Sequence, residues 1–190
     1  MEGAPRQGLG SFFRALMEFV DERGLREQVR AGVSAATRAT IDDPPRVLSF
    51  IPSTAIDDIE SVLQKLVGDE GLAECGVACA RPLGWTILQP IIRMAFMVFG
   101  QSPEPIFANL DRFFSMVTRG ITFSWQPGEK CGAVLTRFDG EGTPGAAFHV
   151  LRGTLLFAYE LSGTVGEVGM PQVVESTPAG VTVRYDVRWH

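Results

Sequence analysis

Lysine is almost missing from this 190-residue chain: Lys65 and Lys130 are the only two, and arginine supplies the rest of the positive charge. No run of basic residues exists, and 17 basic against 22 acidic side chains leave a formal net charge of -5. A nucleic-acid surface needs a basic stripe, so nucleic acid is not an expected partner. Histidine is as scarce, with His149 and His190 alone. Three cysteines, Cys75, Cys79 and Cys131, are odd in number and do not form a secreted disulfide framework. The apolar stretch Phe12–Val20 is interrupted by Arg14 and Glu18, so a signal peptide is not expected either. A cytoplasmic protein with reduced thiols follows as the expectation. Catalytic signatures are missing as well: there is no G-x-S-x-G elbow, no H-E-x-x-H pair and no Walker loop.

What the chain has in quantity is apolar residues, 45% of the total, a fraction ordinary for a globular protein and too high for disorder. They concentrate in Trp85–Phe99, WTILQPIIRMAFMVF, which is apolar nearly all round. A surface helix would show one apolar stripe. At ~1.5 Å per residue this segment spans ~22 Å, short of a ~30 Å hydrocarbon core. Arg93 near its middle would add roughly 2.5–3.5 kcal/mol to insertion. The segment is therefore expected as a central helix of a water-soluble body, buried on several sides or walling a cavity, with no membrane span.

Around it the periodicity is helical before Gly120 and strand-like after. Helices are expected over 11–23 and 25–37, with a breaker at Asp42-Asp43-Pro44-Pro45. Another starts at Ser53 or Thr54 and stops at Gly68, with Asp57, Asp58 and Glu60 in early turns where the helix dipole favours anions. A short one covers 71–80. After Ser102-Pro103-Glu104-Pro105, the residues Ile106, Phe107, Leu110, Phe113, Phe114 and Val117 form an inward face. From Gly120 the period becomes two. A hairpin turns at Gln126-Pro127-Gly128-Glu129, 146–161 reads as a helix or a strand, Gly163–Gly169 as a loop, and 172–176 with 181–189 as a closing hairpin. Val181, Val183, Tyr185, Val187 and Trp189 alternate with polar residues, the mark of a half-buried antiparallel strand. The fold class expected is α+β: N-terminal helices packed on a C-terminal four-stranded antiparallel ββαββ sheet. Residues 1–45 read as a helical arm and 46–190 as the body.

Candidate chemistry is thin. Gly140-Glu141-Gly142-Thr143-Pro144-Gly145 matches G-x-G-x-x-G, but Pro144 removes a donor, Asp139 and Glu141 repel phosphate, and the sheet reads antiparallel; a connector explains it better. Cys75 and Cys79 share a helix face without two further metal ligands, and read as small buried hydrophobes. His149 is of a type that ligates haem iron, although a lone histidine is more often a helix-surface or satisfied core residue. No cofactor is expected. Arg93 either snorkels to the surface or is a buried cation in need of a partner. That partner is Asp111, Glu104 or the head group of an acidic, greasy ligand lying along Met94, Phe96 and Met97, for which the guanidinium fork is suited.

From Leu83 onward the order of motifs resembles a myxobacterial paralogous family of small proteins without established function. The residues that carry it are Leu83-Gly84, Phe113-Phe114 through Thr118-Arg119-Gly120, Leu151-Arg152-Gly153-Thr154-Leu155 and the closing Val183–Trp189. At greater distance the layout is similar to vinyl-reductase-type and haem-nitric-oxide-binding-type domains. That likeness implies helices enclosing an apolar ligand site against an antiparallel sheet, a sensing role and, often, a homodimer. The haem ligand motif of that group has no match here, so no haem ligand is carried over. The function expected is a non-enzymatic small-molecule-binding or signalling domain, with Arg93, Met94, Phe96, Met97, Phe107 and Phe114 around an apolar or acidic ligand. A homodimeric interaction module and an unrecognised enzyme are the alternatives.

Overall fold

The computed structural model describes residues 5–83 and 102–190. The central apolar segment, with Arg93, Met94, Phe96 and Met97, lies outside the described residues. The expected class holds: helices dominate the first half and antiparallel sheet the second. The elements are β1 (Gln7–Leu9), α1 (Gly10–Glu22), α2 (Arg26–Gly32), α3 (Ala35–Asp42), β2 (Phe50–Pro52), α4 (Ser53–Leu83), α5 (Glu104–Ala108) and α6 (Leu110–Phe114). They continue with β3 (Thr118–Arg119), β4 (Ile121–Gly128), β5 (Cys131–Asp139), α7 (Gly145–Ser162), β6 (Gly166–Val168), β7 (Gln172–Thr177) and β8 (Gly180–Trp189).

Two apolar cores organise the described residues. One gathers Phe13, Leu16 and Val20 of α1 with Ile59, Leu63 and Leu72 of α4, joined by Ala146 and Val150 from α7. The other lies between the sheet face Val134, Phe138, Val183, Tyr185 and Val187 and the side chains of α5, α6 and α7. Helix α7 belongs to both. The α4–α7 seam is close because it is built on glycine. A Cβ added at Gly76 would stand 1.9 Å from the Val150 carbonyl oxygen, and one at Gly153 would stand 1.8 Å from that of Ala73. The two backbones therefore touch where both lack side chains.

The structure departs from the sequence expectation at several boundaries, each for a local reason. The second helix is two: Ser34 takes an extended conformation and its hydroxyl accepts from the Thr37 amide, which ends α2 and starts α3. The expected stop at Gly68 is present as a kink within α4, at φ 72°, ψ -177°, but the helix after it runs past the expected end at residue 80, through Pro82 to Leu83. The helix after Pro103 breaks at Asn109 into α5 and α6, so Phe114 and Val117 are only half-buried. The β4–β5 hairpin turns two residues later than expected, at Glu129-Lys130, with Lys130 at φ 51°. The segment 146–161 is a helix, resolving that ambiguity.

The main sheet has five strands, not four. Its path is β4-β5-β8-β6, and β7 also pairs with β8. The added strand, β6, falls in the stretch read as a loop: its three residues are too few to show a period. A second, three-stranded sheet, β2-β1-β3, was not foreseen. It clasps the N-terminus between the start of α4 and the start of β4, with Leu9 N–H donating to Val117 C=O at 2.9 Å. Arg119 places its guanidinium over the Phe50 ring at 4.4 Å across this clasp.

Two glycine substitutions separate packing from helix propensity. Replacing glycine by alanine inside a helix should stabilise it by about 1 kcal/mol on propensity alone. Gly153→Ala is expected to do the reverse and cost about 1–3 kcal/mol, because the new methyl meets main chain that cannot swing aside. Gly145→Ala, with nothing within 4 Å of the new Cβ, is expected to be neutral or stabilising. Urea unfolding at constant m-value measures both.

Candidate functional site

Where the two cores meet they leave a cavity of about 150 Å³. Engineered apolar cavities of this size take up benzene. One wall is α7, contributing Ala147, Val150, Leu151, Thr154 and Ala158; another is α6, with Leu110, Phe113 and Phe114. The clasp and the first turns of α4 close it, through Gly8, Ile56, Asp57 and Glu60. The local folding explains the placement. Gly8 lies so close to α4 that a Cβ there would meet Ile56 Cδ1 at 2.6 Å. The break at Asn109 separates α6 from α5, and Leu110, Phe113 and Phe114 of α6 line the cavity.

Polar groups are few and clustered at one end. Arg6, 8% exposed, directs its guanidinium onto Asp57, with Nη2 donating to Oδ2 at 2.7 Å and Nη1 to Oδ1 at 3.4 Å. The Ser53 hydroxyl donates to the same Oδ2 at 3.3 Å. Burial pushes the Asp57 carboxyl up, and the Arg6 charge and hydrogen bonds oppose it. One turn on, Glu60 is 3% exposed, and its Oε2 is buried without a hydrogen-bond partner among the described residues. Loss of hydration, reinforced by the Asp57 charge and opposed by Arg6, pushes the Glu60 carboxyl up to about 8. It therefore holds its proton at neutral pH.

The sequence-derived candidates are distributed unevenly. Phe114 lines the cavity, and its ring lies 4.3 Å from that of Phe123. Phe107 is 1% exposed and packs in the sheet-side core, stacked on Trp125 at 5.3 Å and edge-on to Tyr159 at 5.8 Å. Cys75 and Cys79 are fully buried in the helical core with sulfurs 3.9 Å apart. Asp58 caps α3 by accepting from the Ser34 amide at 2.8 Å, as the helix-terminus reading of the carboxylates implied for that residue in kind. For Asp57 and Glu60 that reading is corrected: both face the cavity. The signal was present, since Glu60 stands four residues after Ile56 and three before Leu63, on the apolar stripe itself. Arg6 gave no signal, because it lies in a segment that only pairing with β2 and β3 brings to α4.

No protein-family profile matches the chain, and no curated protein matches it. Solved structures do. An H-NOX protein from K. algicida in its Fe(II) unliganded form gives a TM-score of 0.65 at 8% identity, over 96% of each chain. The chain has the H-NOX fold. An oxygen-binding H-NOX domain related to soluble guanylate cyclases, as its oxygen complex, gives 0.61 at 11% identity over 95% of this chain and 94% of that one. A structure described under the modulation of heme redox potential by protein-induced porphyrin distortion gives 0.64 at 9% identity over 95% and 99%.

These neighbours correct the expectation that no cofactor is involved and that haem through His149 can be set aside. Studies of these neighbours concern heme redox potential and heme distortion, so haem is the group against which the cavity must be tested. Its apolar walls suit the faces of a porphyrin. Protein ligands to haem iron are His, Cys, Met or Tyr. His149 turns away from the cavity: its Nε2 lies 3.6 Å from Asp69 Oδ2, and its Nδ1 is buried without a partner among the described residues. Of the ligand types, Met116 alone is in the described lining. The described lining fits the macrocycle's apolar faces, and neither histidine of the chain is among the described lining residues.

The Glu60 carboxyl makes stability fall with pH. Its ordinary value of 4.5 applies in the unfolded chain and about 8 in the folded one, so the folded state binds the extra proton between them. Stability is fully present below the lower value and is lost as pH rises through the upper one. Relative to Glu60→Gln, the wild-type unfolding free energy is expected to drop by roughly 1 kcal/mol per pH unit across that window and to run parallel outside it. Urea titrations of both proteins from pH 4 to pH 9 measure the difference.

Proposed function

We propose that this chain is a non-enzymatic sensing domain that takes an apolar small molecule into the cavity between its two cores. The observation that carries the reading is the cavity itself: Leu110, Phe113, Phe114, Val150 and Leu151 line a partly open space that a close-packed interior would fill. Sites of this kind are typically apolar with a few placed polar groups, which matches the Arg6–Asp57–Glu60 end. The H-NOX neighbours support a ligand-responsive role, since one is named for oxygen binding and another study of that fold concerns its activation. The reading extends to position as well as content. Helix α7 belongs to both cores, so a molecule wedged against it bears on the sheet and on the helical half together. A ligand that favours one spacing of the two halves shifts their equilibrium by its differential affinity.

The test uses ethylbenzene and hemin as probes. Ethylbenzene at about a hundred times its Kd is expected to raise wild-type stability by about 2.7 kcal/mol, read by thermal or urea unfolding. Ala147→Leu, which fills the cavity from α7, is expected to unfold cooperatively and lose that gain. A one-to-one hemin complex with a Soret band, displaced by ethylbenzene, would make haem the occupant of the same space. No response to either probe, or a gain undiminished in Ala147→Leu, overturns the reading.

A further inference from the structure

We infer that the ligand of this cavity carries a hydrogen-bond acceptor oxygen, a ketone or other carbonyl on an apolar body, and that the carboxylic acid of Glu60 donates to it. The inference rests on the cavity being the ligand site and adds the chemistry of the polar contact.

Three observations lead there. The polar end of the cavity holds one cation and two carboxyls, and two of these three are already committed. Arg6 and Asp57 face each other fork to fork, and Ser53 takes a further lone pair of Asp57. Neither has its strongest direction left for a ligand. Thr154 and Thr118, also in the lining, donate to the carbonyls of Val150 and Phe114. Gln7 of β1, also in the lining, is only half-buried, whereas Glu60 is buried in the wall with Oε2 unpartnered among the described residues. A buried polar group without a partner is costly, and natural interiors seldom keep one unless something else satisfies it.

The sign of the contact follows from what surrounds Glu60. Asp57 lies one turn earlier on the same helix, Arg6 comes from the N-terminal segment, and Cys79 sits further along α4. The cavity residues of α7 are Ala147, Val150, Leu151, Thr154, Phe157, Ala158 and Leu161, none of them titratable in the neutral range. Arg6 is neutralised by Asp57, so no free positive charge holds Glu60 ionised. The neutral acid has one O–H to give. An acceptor oxygen takes it; a hydrocarbon leaves it unmet; a carboxylate ligand would add negative charge beside Asp57.

Acetophenone and ethylbenzene make the test, because they are near-isosteric and differ in the carbonyl. Acetophenone is expected to bind the wild type roughly tenfold more tightly than ethylbenzene at pH 6–7, once its greater cost of leaving water is subtracted by octanol–water partition. That preference should fall away above about pH 8, as the acid ionises. Glu60→Leu is expected to keep ethylbenzene binding and lose the preference. Glu60→Gln, which retains a donor, is expected to keep the preference and lose its pH dependence, so the inference stays testable should the leucine variant not fold. Equal corrected affinities in the wild type sink the inference and leave the cavity reading standing. So does tighter binding of 1-phenylethylamine or benzoate, which would assign the contact to an ionised Glu60 or to Arg6. Binding of none of these probes sinks both.

Discussion

The α4–α7 seam is the contact on which the rest of the structure depends. Gly76 and Gly153 let two helices meet main chain to main chain, at a distance no side chain would permit. Because α7 is held so closely by α4, it takes part in the helical core on one side and the sheet-side core on the other. Ion pairs edge the same seam, Arg81 with Glu160 and Arg152 with Glu70. The Arg81–Glu160 pair is largely exposed and adds little by comparison, while Arg152 is mostly buried with its partner Glu70 in solvent. The geometry of close approach, rather than charge, sets the spacing of the two halves.

Beside the seam, Ile56, Asp57 and Glu60 of α4 line the cavity together with residues of α6 and α7. Strands β1 and β3 of the clasp border it through Gly8 and Thr118, and the segment before β1 carries Arg6 into it. A cation and a carboxylate brought together from residues 6 and 57 offset each other's burial. Glu60 has no such partner, and it avoids the cost by staying protonated. The cavity thus joins an apolar body to one neutral donor, a combination suited to selecting among uncharged molecules.

Legibility in the sequence followed the strength of local periodicity. The alternation from Val181 to Trp189 and the stripes of α1 and α4 carry enough apolar residues at one period to identify their elements without help. Short elements carry none: the three residues of β6, and the strands of the clasp, exist because long-range partners bind their main chains. The α5–α6 break at Asn109 escaped notice for the related reason that its apolar residues keep helical spacing across it. Among the site residues, Phe114 was read on its stripe. Glu60 was misread because a carboxylate near a helix start has a sufficient local explanation in the dipole.

By itself the sequence determined the class of fold, the identity of the long elements, which face of each turns inward, and the absence of the G-x-S-x-G, H-E-x-x-H and Walker patterns. These are properties of nearest neighbours along the chain, where hydrophobic period and backbone stereochemistry act. Only the tertiary structure decided that Gly153 is a contact rather than a flaw in a helix, that Arg6 reaches Asp57, and that Glu60 lines a largely apolar cavity. Each of those depends on residues far apart in sequence arriving at one place, and no local pattern records where a backbone from elsewhere will come to rest.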